Sequence, residues 1–257
     1  MKTSELLKEL SSVDAPSGVE DPIMDKIESL IGGGRRTRLG GLVHEIPGER
    51  KGKVGVFAHA DEIALMVSKD AGNGFFYLET SGGVDPKIVV SRKVKVLTSD
   101  GVIRGVIGTL APHITPPKDK GKPLNFERLV LDATMSDWKK VKVGDRVVLD
   151  VKPCDVGKFV CGKALDNRSG CAVLIKVKEF LNKMKHANDV YLVFSTTEEI
   201  GGPGAQSVAY ELNLDWAIVV DVTFGDKKFG EKLKDVYQKL VEKFAKPLGS
   251  TEGRWEL

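Results

Sequence analysis

Imidazole and carboxylate groups cluster in four short strings of this 257-residue chain: His59-Ala60-Asp61-Glu62-Ile63, Leu165-Asp166-Asn167-Arg168, Thr196-Thr197-Glu198-Glu199-Ile200-Gly201 and Val219-Val220-Asp221-Val222-Thr223. Such donors suit a hydrolytic metal centre, which leaves one position open where bound water drops toward a pKa of about 7 and becomes nucleophilic. The candidate ligands are His59, Asp166, Glu199 and Asp221. A two-metal site holds its ions roughly 3.5–4 Å apart and needs a bridging carboxylate, a role that suits Asp166 on a tight loop. Asp61, two residues beyond His59, is placed to accept from the far ring nitrogen and fix the imidazole tautomer. Glu198 and Glu199, adjacent just past a strand end, point in different directions, so one can bind metal while the other handles protons.

Each string also has a plainer reading. A lone histidine commonly sits satisfied in a core, Asp166 suits a helix N-cap, and the glutamate pair suits the positive end of a helix starting near Ala205. The four together favour the chemical reading. Asp221, after four apolar residues, is the hardest to explain as structure, because a buried unpaired carboxylate is costly to desolvate. His113 reads as a loop residue, and His44 and His186 as surface positions. The glycines at 32–34 and 201–204 fit neither a dinucleotide fingerprint nor a phosphate loop.

Three of the strings close apolar runs that read as buried strands, at residues 54–58, 190–195 and 217–220. In open α/β sheets ligands bind at the carboxyl ends of strands, so distant side chains can converge on one crevice. Helical spacing occupies residues 4–9 and 21–31, with Asp21 as N-cap and Pro22 as first helical residue, and resumes at 171–184, 205–211 and 231–244. Between about residues 67 and 151 short β-type runs (75–78, 88–90, 94–97, 105–110, 146–149) alternate with Gly, Pro and Asp turns, and one helix is expected at 135–140. The organisation expected is a discontinuous α/β domain, residues 1–66 and 152–257, interrupted by a β subdomain at 67–151. Residues 249–257 read as a tail.

Hydrophobic residues at 41% supply a sizeable core, and 39 basic against 36 acidic residues leave a net charge of +3, no case for nucleic acid or a membrane surface as partner. The N-terminus lacks the apolar core of a secretory signal and no run approaches the roughly 18 apolar residues of a membrane span, so a cytoplasmic protein is expected. Cys154, Cys161 and Cys171 lack C-x-x-C spacing and read as buried reduced thiols.

In this order the strings resemble the M42 family of metallo-aminopeptidases, the glutamyl and tetrahedral aminopeptidase group, some of whose members carry the label endoglucanase. The match runs from Ala15-Pro16-Ser17-Gly18 through His59-Ala60-Asp61-Glu62-Ile63, Gly105-Val106-Ile107-Gly108 and Pro112-His113 to Gly162-Lys163-Ala164-Leu165-Asp166-Asn167-Arg168, Glu198-Glu199 and Asp221-Val222-Thr223. It implies a phosphorylase/hydrolase-like α/β mixed-sheet catalytic domain, an inserted β-barrel-like dimerisation domain, two divalent ions (Zn or Co), and dimers that build a dodecamer. Carried over, His59 and Asp221 hold one ion, Asp166 bridges, Glu199 holds the second, Glu198 is the general base and Asp61 orients His59. The implied reaction removes N-terminal residues from peptides. The family pattern continues past Thr223 to a late histidine, and no histidine follows Asp221 here, so the second ion is expected to keep only Asp166 and Glu199. Impaired activity is one expectation; an inactive assembly subunit beside an active paralogue, or a split gene with a complementary chain, is the alternative. A polysaccharide hydrolase, which needs two opposed carboxylic acids, fits the His and Asp content least.

Overall fold

The computed structural model describes residues 1–49, 52–111, 113–117, 121–223 and 225. The helix expected at 231–244 and the tail at 249–257 lie outside the described residues. Two compact units divide the chain, Met1–Asp221 and Val222–Leu257, and every element below belongs to the first. In chain order these are α1 (Thr3–Ser11), α2 (Asp21–Ile31), β1 (Arg35–Arg36), β2 (Leu42–Ile46), β3 (Lys53–His59), β4 (Ala64–Gly72), β5 (Phe75–Ser81), α3 (Pro86–Val89), β6 (Lys93–Thr98), β7 (Gly101–Thr109), β8 (Leu129–Asp132), β9 (Arg146–Leu149), β10 (Cys154–Val156), β11 (Phe159–Cys161), α4 (Leu165–Leu181), β12 (Asp189–Ser195), α5 (Pro203–Leu212) and β13 (Trp216–Val219).

Five strands form a mixed sheet in the order β1-β2-β12-β3-β13. The parallel trio β12, β3 and β13 is joined on one side by antiparallel β2. Alternating side chains go to opposite faces of a strand, and the burial follows that rule. Val56, Ala58, Leu192 and Phe194 pack with Leu6, Leu10, Ile23, Ile27, Leu174 and Ile175 of α1, α2 and α4 on one face. Phe57, Tyr191 and Val193 pack with Val208 and Leu212 of α5 on the other. A sheet sandwiched by helices on both sides reads as continuous apolar runs, which is how β3 and β12 appear in the sequence.

The chain leaves this sheet after β3 and closes a six-stranded barrel, β4-β5-β8-β7-β6-β9, before returning at β10. Its interior is a separate apolar cluster that includes Val67, Phe76, Val96, Ile107, Leu129 and Leu131. Closure removes the exposed edges an open six-stranded sheet would leave.

Several local expectations change. The run at 88–90 is not a strand: Asp85 accepts from the Lys87 N–H at 2.9 Å and Pro86 follows it, so capping chemistry winds residues 86–89 into a helical turn. The helix expected at 135–140 shrinks to a 3₁₀ turn, Trp138–Lys140. Met135 is 97% exposed there, so no apolar face holds a longer helix. Glu20, not Asp21, is the N-cap of α2; proline is tolerated throughout the first turn because amides there lack intrahelical acceptors. Only Cys171 is buried, whereas Cys154 and Cys161 are exposed on the β10–β11 hairpin. His44 is half-buried in β2, its Nδ1 2.7 Å from the Gly33 carbonyl.

Phe194 is fully buried at the centre of the sheet. Phe194→Ala should cost about 3–5 kcal/mol of stability. Urea denaturation monitored by circular dichroism measures it, and a loss under about 1 kcal/mol would contradict the central place of this ring.

Candidate metal centre

Strand register explains why two of the strings meet. Ser195 of β12 lies beside His59 of β3, and Val219 of β13 lies beside Phe57, so all three strands end at one level and in one direction. The Val220 N–H continues the pairing to the Phe57 carbonyl at 2.8 Å, which carries Asp221 level with His59. From below, Asn167 donates through Nδ2 to the Val220 carbonyl at 2.7 Å and accepts the Gly170 N–H at 2.9 Å. Ala164 is left-handed, Asp166 and Asn167 depart from helical dihedrals, and the peptide between them is cis. This irregular start of α4 turns Asp166 toward His59, with Oδ1 3.1 Å from Nε2.

Among the described residues two groups offer ligand atoms that all lie within 4.8 Å of one another: His59 with Asp166 and Asp221, and His59 with Glu198 and Glu199. A cavity of about 450 Å³ opens beside them, lined by Ala58, Asn167, Ser195, Gly202 and Gln206 among others. One imidazole and carboxylates at this separation fit a zinc- or cobalt-type ion by donor chemistry. His44, His113 and His186 belong to neither group.

Asp61 is fully buried and organises the cluster. It accepts the Ser17 hydroxyl at 2.6 Å, the Glu198 N–H at 3.1 Å and the Glu199 N–H at 3.2 Å. His59 Nδ1 faces it at 3.4 Å, an ion-pair distance. The preceding amide, Thr197 N–H, donates to buried Glu20 at 3.1 Å. Thr197 is left-handed at φ 58°, a conformation that costs a non-glycine residue about 1–3 kcal/mol and persists only where its surroundings enforce it. The 3₁₀ turn Glu198–Ile200 follows, and α5 begins only at Pro203. Gly204 lets α5 approach this turn, since a Cβ there would lie 2.4 Å from the Thr196 carbonyl oxygen.

Beneath Asp61 lies a buried ionic cluster that sequence reasoning missed. Glu62 receives Lys163 Nζ at 2.6 and 2.7 Å and the Ala15 N–H at 2.9 Å. Fully buried Arg168 donates to the Leu10 carbonyl at 2.8 Å. Lys163 also faces Asp14 at 3.2 Å, and Asp14 receives Lys95 from the barrel at 2.8 Å. No local signal marked it, since Glu62, Lys163 and Arg168 stand among other polar residues and their partners lie far along the chain.

Concentrating this many carboxylates shifts the titrations. Burial opposes charging of His59, but Asp61, Glu198 and Asp166 together overcome it and push its pKa up to about 9. Burial pushes Glu199 up to about 7, with Asp166, Asp61 and Glu198 adding and His59 opposing. Asp61 is also penalised by burial, yet His59, Ser17 and the Glu198 amide hold its carboxyl below the usual range.

Residues 40–239 match the M42 glutamyl aminopeptidase family. The chain belongs to that family. It is 33% identical over 228 residues to the FrvX protein of Escherichia coli (strain K12), a match covering 84% of this chain and 63% of that protein. An aminopeptidase from the archaeon Desulfurococcus kamchatkensis superposes with a TM-score of 0.80 at 34% identity, covering 88% of this chain and 64% of the other. The Pyrococcus horikoshii TET1 peptidase, described as able to assemble into a tetrahedron or a large octahedral shell, gives 0.77 at 25% identity, covering 93% and 82%. The chain thus spans a little under two thirds of the length of the first two. Its mixed sheet and closed barrel agree with the M42 fold.

The pH dependence of the metal-free M42 chain follows from two raised pKa values. A raised pKa favours the protonated form in the folded state, so the contribution of His59 is complete below its ordinary value near 6.5 and lost as pH climbs through about 9. Glu199 contributes in the same sense, with loss through about 7. The melting temperature of chelator-treated protein should therefore fall from about pH 4.5 to 7 through Glu199 and on to about 9 through His59, and added Zn²⁺ or Co²⁺ should restore it. His59→Gln should flatten the upper part of that fall; an unchanged profile would remove His59 as its source.

Proposed function

We propose that this M42 chain is a metal-dependent aminopeptidase that removes N-terminal residues from peptides. The observation that carries the reading is the approach of His59, Asp166 and Asp221 donor atoms to within 4.8 Å of one another at the common end of three strands and α4. In this reading these three hold one divalent ion, Asp166 bridges to a second, and Glu199 holds that second ion. Two ions, Zn or Co, are the cofactors in this reading. A divalent ion at such a site supplies Lewis acidity toward a peptide carbonyl and lowers the pKa of a water ligand.

The remaining work falls to side chains. Glu198 lies 3.8 Å from His59 Nε2 and its side chain is 47% accessible, so its carboxylate reaches both the cluster and solvent. It takes the proton from the attacking water and returns it to the departing amine, the two proton transfers amide hydrolysis requires. Asp61 fixes the His59 ring from behind and keeps Nε2 directed into the cluster. The acidic surroundings suit the charged α-amine of a peptide N-terminus and repel a peptide's C-terminal carboxylate, which favours attack at the amino end.

We further read residues 1–66 and 152–257 as the catalytic domain and 67–151 as an inserted dimerisation domain built on the barrel. The likeness to TET1 supports a homo-oligomer, which we read as a dimer building block extended to a dodecamer. Among the described residues no helix is long and apolar enough to cross a membrane.

Metal content by mass spectrometry, paired with hydrolysis of aminoacyl chromogenic substrates, tests the reading. Glu198→Gln should retain metal and lose at least about 100-fold in kcat, the scale of a general base. Asp166→Ala should lose both ions. Stoichiometric metal in Asp166→Ala would refute the bridging assignment, and wild-type protein with neither metal nor turnover would refute the aminopeptidase reading.

A further inference from the structure

Glu20 has no place in the chemistry just described, yet its carboxylate reaches the turn that presents Glu198 and Glu199. It sits at the N-cap of α2, is 7% exposed, and does not cap its own helix. It accepts instead from the Thr197 N–H, 3.1 Å away and 177 residues along the chain. The next two amides, of Glu198 and Glu199, go to the two oxygens of Asp61. Three consecutive backbone N–H groups are therefore taken by two buried carboxylates. A left-handed residue followed by a 3₁₀ turn aims successive amides to one side as an anion-binding concavity, and here the anions are the protein's own.

We infer that Glu20 is a positioning residue: by holding the Thr197 amide it fixes the left-handed step into the acidic turn, and with it the direction of the Glu198 and Glu199 carboxylates. Asp61 alone fixes the peptide that follows Thr197, through the Glu198 N–H, and leaves the peptide that precedes it, which carries the Thr197 N–H, to Glu20. On the carbonyl side the turn is closed locally, by Gly202 N–H to Thr197 at 2.9 Å and Gly201 N–H to Glu198 at 3.0 Å. The tether from Glu20 ties this closed loop to α2. A cavity of about 370 Å³ lies alongside, lined by Gly18, Glu20, Leu39, Gly40 and Thr197 among others. Water can enter there and satisfy a freed amide, so truncation of Glu20 loosens the turn without leaving a buried donor unpaired. Glu20 touches neither substrate nor ion; a neutral side chain with the same acceptor oxygen should serve as well.

The inference rests on the aminopeptidase reading for its catalytic consequence, while the contact itself is open to a test independent of activity. Hydrogen–deuterium exchange of the metal-free protein should show amides 197–199 exchanging at least tenfold faster in Glu20→Ala and near the wild-type rate in Glu20→Gln. In metal-loaded protein, Glu20→Ala should lower kcat about 10–100-fold with KM within twofold, the scale expected when a reacting group is misplaced by about an ångström. The visible absorption of the Co²⁺-loaded protein should shift in Glu20→Ala, and Glu20→Gln should restore both signals. Unchanged exchange in Glu20→Ala overturns the inference. So does an equal loss in Glu20→Ala and Glu20→Gln, since that would assign the effect to charge or folding rather than to a fixed acceptor. Wild-type protein lacking metal and turnover would overturn the aminopeptidase reading instead, and the exchange measurement would still decide the contact.

Discussion

A carboxylate taken entirely out of water is tolerated only when its lone pairs are filled, and Asp61 fills its own with groups from three separate segments. Ser17 comes from the turn before α2, Glu198 and Glu199 offer their amides from the turn after β12, and His59 lies on β3 itself. An isolated buried carboxylate would be prohibitively costly. Those donors are therefore both the condition for its burial and the geometry of the site. Moving any one segment leaves a buried anion short of a partner, so the arrangement of His59 and the glutamate pair is fixed together.

The same logic extends one layer down. Glu62 follows Asp61 directly and is matched by Lys163, whose neighbours in sequence lead into the irregular start of α4. Replacing a buried ion pair by apolar groups is often neutral, but removing one member strands the other at a cost of about 3–5 kcal/mol. The pair thus contributes register more than stability, tying the segment that carries His59 to the one that carries Asp166. Lys95 and Arg146 extend the connection into the barrel through Asp14 and the Ser17 carbonyl, the latter at 3.3 Å. A displacement of the barrel strands therefore reaches Asp61 through Ser17 in two hydrogen bonds.

These dependencies explain what could be read from sequence. Apolar runs ending in His59 and Ser195 announced buried strands because a sheet covered on both faces leaves no polar alternation. The run 217–220 also forms a strand, β13, but at the end of the described sheet, where Trp216, Ile218 and Val219 are exposed rather than buried. Period and propensity located α1, α2 and α5 to within a few residues, while α4 begins at Leu165, six residues before the periodic run. What escaped is decided by hydrogen bonds rather than by apolar pattern. Residues 86–89 wind into a turn because Asp85 captures an amide, and residues 135–140 do not become a helix because Asp132 binds the Thr134 N–H and hydroxyl instead. Cys154 and Cys161 face solvent because they stand directly opposite each other on an exposed two-stranded hairpin, which residue type alone does not reveal. At the site, His59, Asp166, Glu198, Glu199 and Asp221 were legible as donors standing at strand ends or at a helix start. Glu20 and the Lys163–Arg168 cluster were not, since their partners lie far away in sequence.

The protonation pattern carries the last step. A histidine raised to about 9 and a glutamate raised to about 7 in one cluster mean that the metal-free site keeps protons it would shed in water. The field responsible comes from Asp61, Glu198 and Asp166, whose carboxylates all face the His59 ring. Lys163 and Arg168 are held one layer away by Glu62 and the Leu10 carbonyl. A dication between His59, Asp166 and Asp221 would replace those protons with a fixed charge, returning His59 to the neutral form that ligates and Glu199 to the carboxylate. The fold therefore stores unfavourable charge where a cation would relieve it. That is why the cluster reads as a binding site rather than as structure: one imidazole and carboxylates from three strand ends and a helix start bring their donor atoms, in two groups that share His59, within 4.8 Å of one another, where a dication can take the place of the protons.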